Sequence, residues 1–154
     1  MKYSPRAEES AKYPGIFGQK ILLEKLGKIL YSSIPLGFDS VVFKVRTLAP
    51  WGQASMDITR ADGSAQSATV ADNAMQCAGE LRANMYRDGL GTWFSAEFTV
   101  TAAGSLHTTY NYDDEPNWTR PAEAVFYVDD LERFPRDPEH IPEWLRRQVE
   151  LAGR

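Results

Sequence analysis

Apolar residues along the chain follow two periods, and the switches between them mark its elements. From Phe17 to Ser33, Leu22, Leu26, Ile29 and Leu30 recur at helical spacing, with Lys20, Glu24, Lys25 and Lys28 between them. Ile34-Pro35-Leu36-Gly37 closes this helix. Alternation follows: Val41, Phe43 and Val45 share one strand face and Lys44 and Arg46 the other. Ala49-Pro50-Trp51-Gly52 reads as a turn, after which Ala54, Met56 and Ile58 alternate with Ser55, Asp57 and Thr59. Asp62-Gly63 is a strong turn signal. The segment predicts two or three antiparallel strands joined by short hairpins.

The clearest helical pattern runs from Thr69 to Asp88, where Val70, Ala74, Cys77, Ala78, Leu81 and Met85 form one stripe. Thr69 reads as its N-cap, Asp72 adds favourable charge to the first turn, and Gly89 sits where a left-handed residue ends a helix. Strand character returns as Phe94, Ala96, Phe98 and Val100 alternate with Ser95, Glu97 and Thr99. Ala103-Gly104 turns the chain into Leu106, Thr108, Tyr110 and Tyr112, which alternate with His107, Thr109 and Asn111. A shorter strand is expected at Ala124 to Val128, and Pro142 opens a closing helix that reaches about Ala152. This order predicts an α+β fold. Its antiparallel sheet is built from hairpins and packed by an N-terminal, a central and a short C-terminal helix.

Composition adds bounds. A chain of 154 residues with 43% hydrophobic and 25% charged residues reads as one folded domain, not a disordered one. Pro5, Pro14 and Gly15 suggest that the first fifteen residues are loosely held. Cys77 is the single cysteine, which excludes an internal disulfide and a zinc pattern. Inside the apolar stripe it reads as a small buried hydrophobe. Met1 to Ser10 lacks the apolar stretch of a signal peptide, and no apolar run approaches the ~18 residues of a membrane span. The cytosol is the expected compartment, with no membrane partner.

Charge changes the picture more. Residues 1–60 carry a net +4, residues 61–109 a net −3 and residues 110–154 a net −5. An acidic surface argues against a nucleic-acid partner and for a basic protein. Catalytic chemistry finds little support. The two histidines, His107 and His140, belong to no metal-binding or nucleophile motif, and no phosphate-binding loop occurs. Asp113-Asp114-Glu115 lacks calcium-loop spacing, and adjacent side chains on a strand diverge. No catalytic residue, metal or cofactor is therefore expected. Tyr110 to Trp118 instead sets three aromatics beside three carboxylates. Aromatics supply contact area at low entropic cost, and carboxylates steer a basic partner. The plainer alternative is that the tyrosines turn into the core and the acids end the strand.

Met85 to Glu115 reads MYRDGLGTWFSAEFTVTAAGSLHTTYNYDDE. Gly89 and Gly91 break a helix, Trp93 opens a strand, Gly104 centres a hairpin turn, and Tyr110, Tyr112 and Asp113 end the next strand. This pattern resembles the YezG-like immunity proteins. Val128 through Trp144-Leu145 is similar to the tail of their actinobacterial members. The resemblance covers about the last two-thirds of the chain. It implies an α+β fold and an antitoxin of a polymorphic or contact-dependent toxin system. Such a protein binds a cognate secreted toxin domain, such as a nuclease or an NAD⁺ glycohydrolase, blocks its active site, and protects the producing cell. The family defines no catalytic residues.

Two surfaces are candidates for toxin binding. One comprises the hairpin loops, with Trp51, Gly52, Gln53, Asp62 and Gly63; here Trp51 either plugs a concave toxin site or packs the hairpin end. The other is acidic, with Asp113, Asp114, Glu115, Trp118, Asp129 and Asp130. Two further readings are a small-ligand domain or enzyme with a pocket between sheet and helix, and a module that assembles through its sheet edge.

Overall fold

The structure, a computed structural model, describes residues 15–153. The expectation for the first fifteen residues lies outside this range except at Gly15, which opens helix α1 (Gly15–Tyr31). Leu22, Leu26 and Leu30 in α1 are fully buried at a spacing of four, each removal from water stabilising by about 1.5–3 kcal/mol. Strands β1 (Ser40–Leu48), β2 (Trp51–Thr59) and β3 (Ala65–Ala68) follow, then helix α2 (Ala74–Asn84). Strands β4 (Ser95–Thr101) and β5 (Leu106–Asn111) lead to helix α3 (Ala124–Arg133), a 3₁₀ turn at Pro138–His140, and helix α4 (Glu143–Ala152). The expected α+β class is what the chain adopts: one five-stranded sheet of order β3-β2-β1-β4-β5, antiparallel at every step.

Alternation sorts the sheet's two faces. Val41, Phe43, Val45, Met56, Ile58, Ala96, Phe98 and Val100 face α1 and α2 and form the main core with Cys77, Leu81 and Trp93. The opposite face divides along the strands. At one end, Leu48 and Phe94 are covered by Tyr127 of α3 and Leu145 of α4, a second, smaller core. Phe94 precedes β4 and departs from the expected alternation with Ala96, Phe98 and Val100, because Phe94 and Ser95 both stand opposite Asn111. Farther along, Lys44 and Glu97 are exposed and Ser55 and Asp57 half-buried, as on the solvated face of an antiparallel sheet.

Three local expectations are corrected. The first hairpin turn is Ala49-Pro50 alone, because Trp51 already pairs with Leu48 and Gly52 with Thr47. Helix α2 starts at Ala74, not after Thr69, with Asn73 before it at φ 67. Residues ahead of it are held otherwise, Ala71 N donating to the Met56 sulfur at 3.3 Å. The helix ends at Asn84, short of Gly89, which does take a positive φ of 77 in the following loop. Finally, Ala124 to Val128 is helical. Tyr127, Asp130, Leu131 and Phe134 recur at i, i+3, i+4 and i+7, which turns Tyr127 and Asp130 inward and leaves Val125 exposed.

Candidate functional site: a pinned acidic loop

The second core is fastened by two buried arginines. Arg82, near the end of α2, meets Asp130 of α3 in a bidentate pair, Nη1 to Oδ1 at 2.6 Å and Nη2 to Oδ2 at 2.9 Å. Its Nε donates to the Trp93 carbonyl at 2.6 Å, and Ala49 N donates to Asp130 Oδ1 at 2.7 Å. Both residues are 3% exposed. The pair therefore ties the helical layer on one sheet face to the layer on the other.

Arg136 does the equivalent work for the loop after β5. Its Nη2 donates to the carbonyls of Thr92 at 3.0 Å and Tyr112 at 2.6 Å, and its Nη1 donates to the His140 carbonyl at 2.9 Å. The guanidinium lies 4.7 Å from the Phe94 ring centre. Burial pulls its pKa down from the ordinary value, while Asp113 and Asp130 oppose that shift. Arg136 is reached only because Gly91 has no side chain: at φ 91, a Cβ there would run into the guanidinium.

From Tyr112 to Arg120 the backbone is held at many points. Asn111 Oδ1 accepts from Asp113 N at 3.3 Å and Asp114 N at 2.9 Å, and its Nδ2 donates to the Asp114 carbonyl at 2.8 Å. Trp144 Nε1 donates to the Asp113 carbonyl at 2.7 Å. Arg46 Nη1 donates to the Asn117 carbonyl at 3.1 Å. Gln53 clamps the far end, with Oε1 accepting from Thr119 N and Nε2 donating to the Arg120 carbonyl, both at 2.8 Å. Trp118 Nε1 donates to Tyr127 Oη at 2.9 Å, and its ring centre lies 5.2 Å from that of Trp51. The carboxylates point the other way. Asp113 is 82% exposed despite lying 3.6 Å from Arg136, and Asp114 and Glu115 are exposed. The result is a fixed backbone presenting solvent-facing charge beside the open polar face of the sheet.

The candidate residues thus separate. Asp113, Asp114 and Glu115 share one rigid, exposed loop, with Asp129 half-exposed on α3. Asp130 is corrected: buried against Arg82, it is a structural tie and reaches no partner. Trp51 packs on Trp118 and Phe126, at 5.2 and 5.8 Å between ring centres, so packing at the hairpin end describes it. Gly52 sits in β2, where a Cβ would lie 2.9 Å from the Arg46 carbonyl oxygen. Gln53 is committed to holding the loop. Asp62 and Gly63 form a tight turn, with Ser64 N donating to Asp62 Oδ1 at 2.9 Å; hydrogen bonds from the Ser64 hydroxyl and then its N–H hold the Asp62 carboxyl below its usual pKa. They occupy the opposite end of β2, roughly 30 Å of strand away. The two hairpin turns therefore do not make one surface.

Sequence reasoning missed Asn111, Arg136 and Trp144, which set the loop's shape. Their partners are mostly backbone carbonyls and amides, which leave no mark in the pattern of side chains. Among the described residues no group of three or more His, Cys, Asp or Glu is placed to hold a metal ion. His107 lies exposed on β5, and His140 ends the 3₁₀ turn. No helix among the described residues is long and apolar enough to cross a membrane. No family model matches the chain, and no curated protein does.

Proposed function

We propose that the chain is an immunity protein, which binds a cognate toxin domain and blocks its active site. The observation that carries this reading is the loop Tyr112 to Arg120. Its backbone is fixed by Asn111, Arg136, Trp144, Arg46 and Gln53, while Asp113, Asp114 and Glu115 face solvent. A loop ordered before binding spares the entropy of ordering it in the complex. Its carboxylates steer a basic surface, such as the substrate groove of a nuclease, and raise the rate of encounter. A structural role alone would not require three adjacent charges to be held outward. Two features of the resemblance, Tyr112 and Asp113 at the end of β5, fall at the start of this loop and agree with the reading.

The test is protection. Co-expression with the toxin domain encoded beside this gene restores growth, and the two chains elute together on gel filtration. Failure of both sinks the proposal. A small-ligand reading is weaker: the groove of about 860 Å³ between α1 and the β4–β5 hairpin is walled mainly by apolar groups, with no convergent polar set to orient a ligand.

A further inference from the structure

Strand β5 forms one edge of the sheet. Thr101 N donates to the Ser105 carbonyl, and Ala102 N and Thr47 N bond across to β1 through Asp39 and Phe94, so the intervening Thr99, Glu97 and Ser95 turn their backbone groups toward His107, Thr109 and Asn111 of β5. Leu106, Thr108 and Tyr110 between them turn their N–H and C=O groups outward, and no backbone bond among the described residues takes them up. Sheet edges are ordinarily blunted by Lys, Pro or a bulge. Within Leu106–Asn111, LHTTYN, there is neither Lys nor Pro, and the register runs unbroken.

Beside this edge lies the apolar groove. Ile16, Lys20, Leu23, Gly27 and Tyr31 recur along one flank of α1, and Leu106 and Val100 complete the wall. Ile16 is 85% exposed and Tyr31 51%. Gly27 is the floor: a Cβ there would sit 3.8 Å from Leu106, in ordinary contact, so the space accepts a side chain that the chain does not supply. Glycine inside a helix costs about 0.5–1 kcal/mol relative to alanine, with no turn here to require it. The rim carries Lys20 and Lys28 against Glu24, a basic margin on a protein of net charge −4.

We propose that β5 and the flank of α1 form a second docking site, which takes an extended segment of the partner protein as a sixth strand. The row of unpaired N–H and C=O groups at Leu106, Thr108 and Tyr110 calls for a strand backbone, because only an extended chain presents donors and acceptors at that repeat. Alternate side chains of that segment are apolar and enter the groove over Gly27. Acidic residues flank them and meet Lys20 and Lys28. A second copy of this chain fits less well, since its own α1 would bring Lys20 and Lys28 against the same two lysines. The inference rests on the reading that the chain acts by binding another protein.

The probe is a blocked peptide of roughly eight residues, one strand length, alternating valine and threonine between terminal glutamates. It is titrated into the full chain and followed by amide NMR. The expected result is shifted and exchange-protected amides at Leu106, Thr108 and Tyr110. Methylating the peptide's alternate nitrogens that face β5 removes these shifts. Thr108→Pro deletes one outward N–H while sparing the ladder to β4, and weakens binding about fivefold. Gly27→Met fills the groove and weakens it about tenfold, with no fall in melting temperature. Unmoved β5 amides, equal binding of the methylated peptide, or shifts confined to Asp113–Glu115 would overturn the inference. So would a dimer of the free chain that Thr108→Pro dissociates, which makes the occupant a second copy. Co-expression separates the two levels. If Thr108→Pro and Gly27→Met still rescue growth while Asp113→Asn/Asp114→Asn/Glu115→Gln does not, the docking site falls and the immunity reading stands. If the unaltered chain does not rescue, the reading itself falls.

Discussion

Asp130→Asn isolates the structural tie from the acidic surface it seemed to belong to. The substitution keeps shape and one acceptor oxygen, so Ala49 N retains a partner. It removes the charge that Arg82 meets through two bonds of 2.6 and 2.9 Å. Arg82 is 3% exposed, so the substitution leaves a buried guanidinium charge beside an amide. Removing one partner of a buried pair costs about 3–5 kcal/mol, and the surviving bond to the Trp93 carbonyl puts this case near about 3. Against a total stability of about 5–15 kcal/mol, that is a fifth or more. For a chain of this size it lowers Tm by about 6–12 °C.

Urea unfolding followed by tryptophan fluorescence and circular dichroism measures this loss directly. The double variant Arg82→Met/Asp130→Leu, which replaces both charges with apolar groups, recovers most of it, because no unpaired charge remains. On the proposed immunity reading, growth protection by Asp130→Asn persists well below its melting temperature. An Asn variant that loses under about 1 kcal/mol, with a double variant no better than the sum of its singles, would refute the reasoning.

The remaining predictions concern the loop's supports and one thiol. Gly91→Ala forces an L residue to φ 91 and a Cβ against Arg136, so it costs about 2–3 kcal/mol and speeds hydrogen exchange at the Asp113 and Asp114 amides; unchanged exchange would contradict Arg136's role. Trp51→Ala removes the ring packed on Trp118 and Phe126, lowering stability by about 2 kcal/mol on chemical denaturation, whereas a true plug would lose toxin affinity with no loss of stability. Burial pushes the Cys77 thiol from 9.0 up to about 11, so a thiol reagent at pH 8 labels it only after unfolding. A raised folded-state pKa gives stability that is full below pH 9.0 and lost as pH rises through about 11. Burial raises Tyr110, Tyr112 and Tyr127 in the same direction. The urea midpoint therefore falls above pH 9.0, less steeply in Cys77→Ala, and a midpoint that rises there would contradict the assignment.

What the sequence revealed and what it hid have physical reasons. Leu22, Leu26 and Leu30, and the alternation through Val41, Phe43 and Val45, are governed by burial against one face, which periodicity records. The class of fold and the place of Cys77 followed from them. The run Val125-Phe126-Tyr127-Val128 is too short and too uniformly apolar to declare a period, and its helix is set by what Tyr127 and Asp130 meet in space. The start of α2 was hidden because the cap signal at Thr69 points too early, while the actual N-cap, Asn73, takes a positive φ and makes no side-chain capping bond. In the site, Asp113, Asp114 and Glu115 were legible as an outward acidic group. Asp129 and Asp130 look alike in sequence, yet the rotation of about 100° between neighbouring helical positions buries only the second. Nothing in the sequence marks Arg82 and Arg136 as buried, since the carbonyls that hold them belong to Trp93, Thr92, Tyr112 and His140 and carry no residue-type signal.

The proposal that the pinned acidic loop grips a toxin is tested most directly by association kinetics with the toxin domain that the co-expression test identifies. Asp113→Asn/Asp114→Asn/Glu115→Gln keeps the hydrogen bonds to the loop backbone, losing only the ion pair of Asp113 with Arg136, and should slow association about tenfold or more at low salt, with raised salt producing the same loss in the unaltered chain. Dissociation should change far less. Association unaltered by both the triple variant and salt would contradict the account.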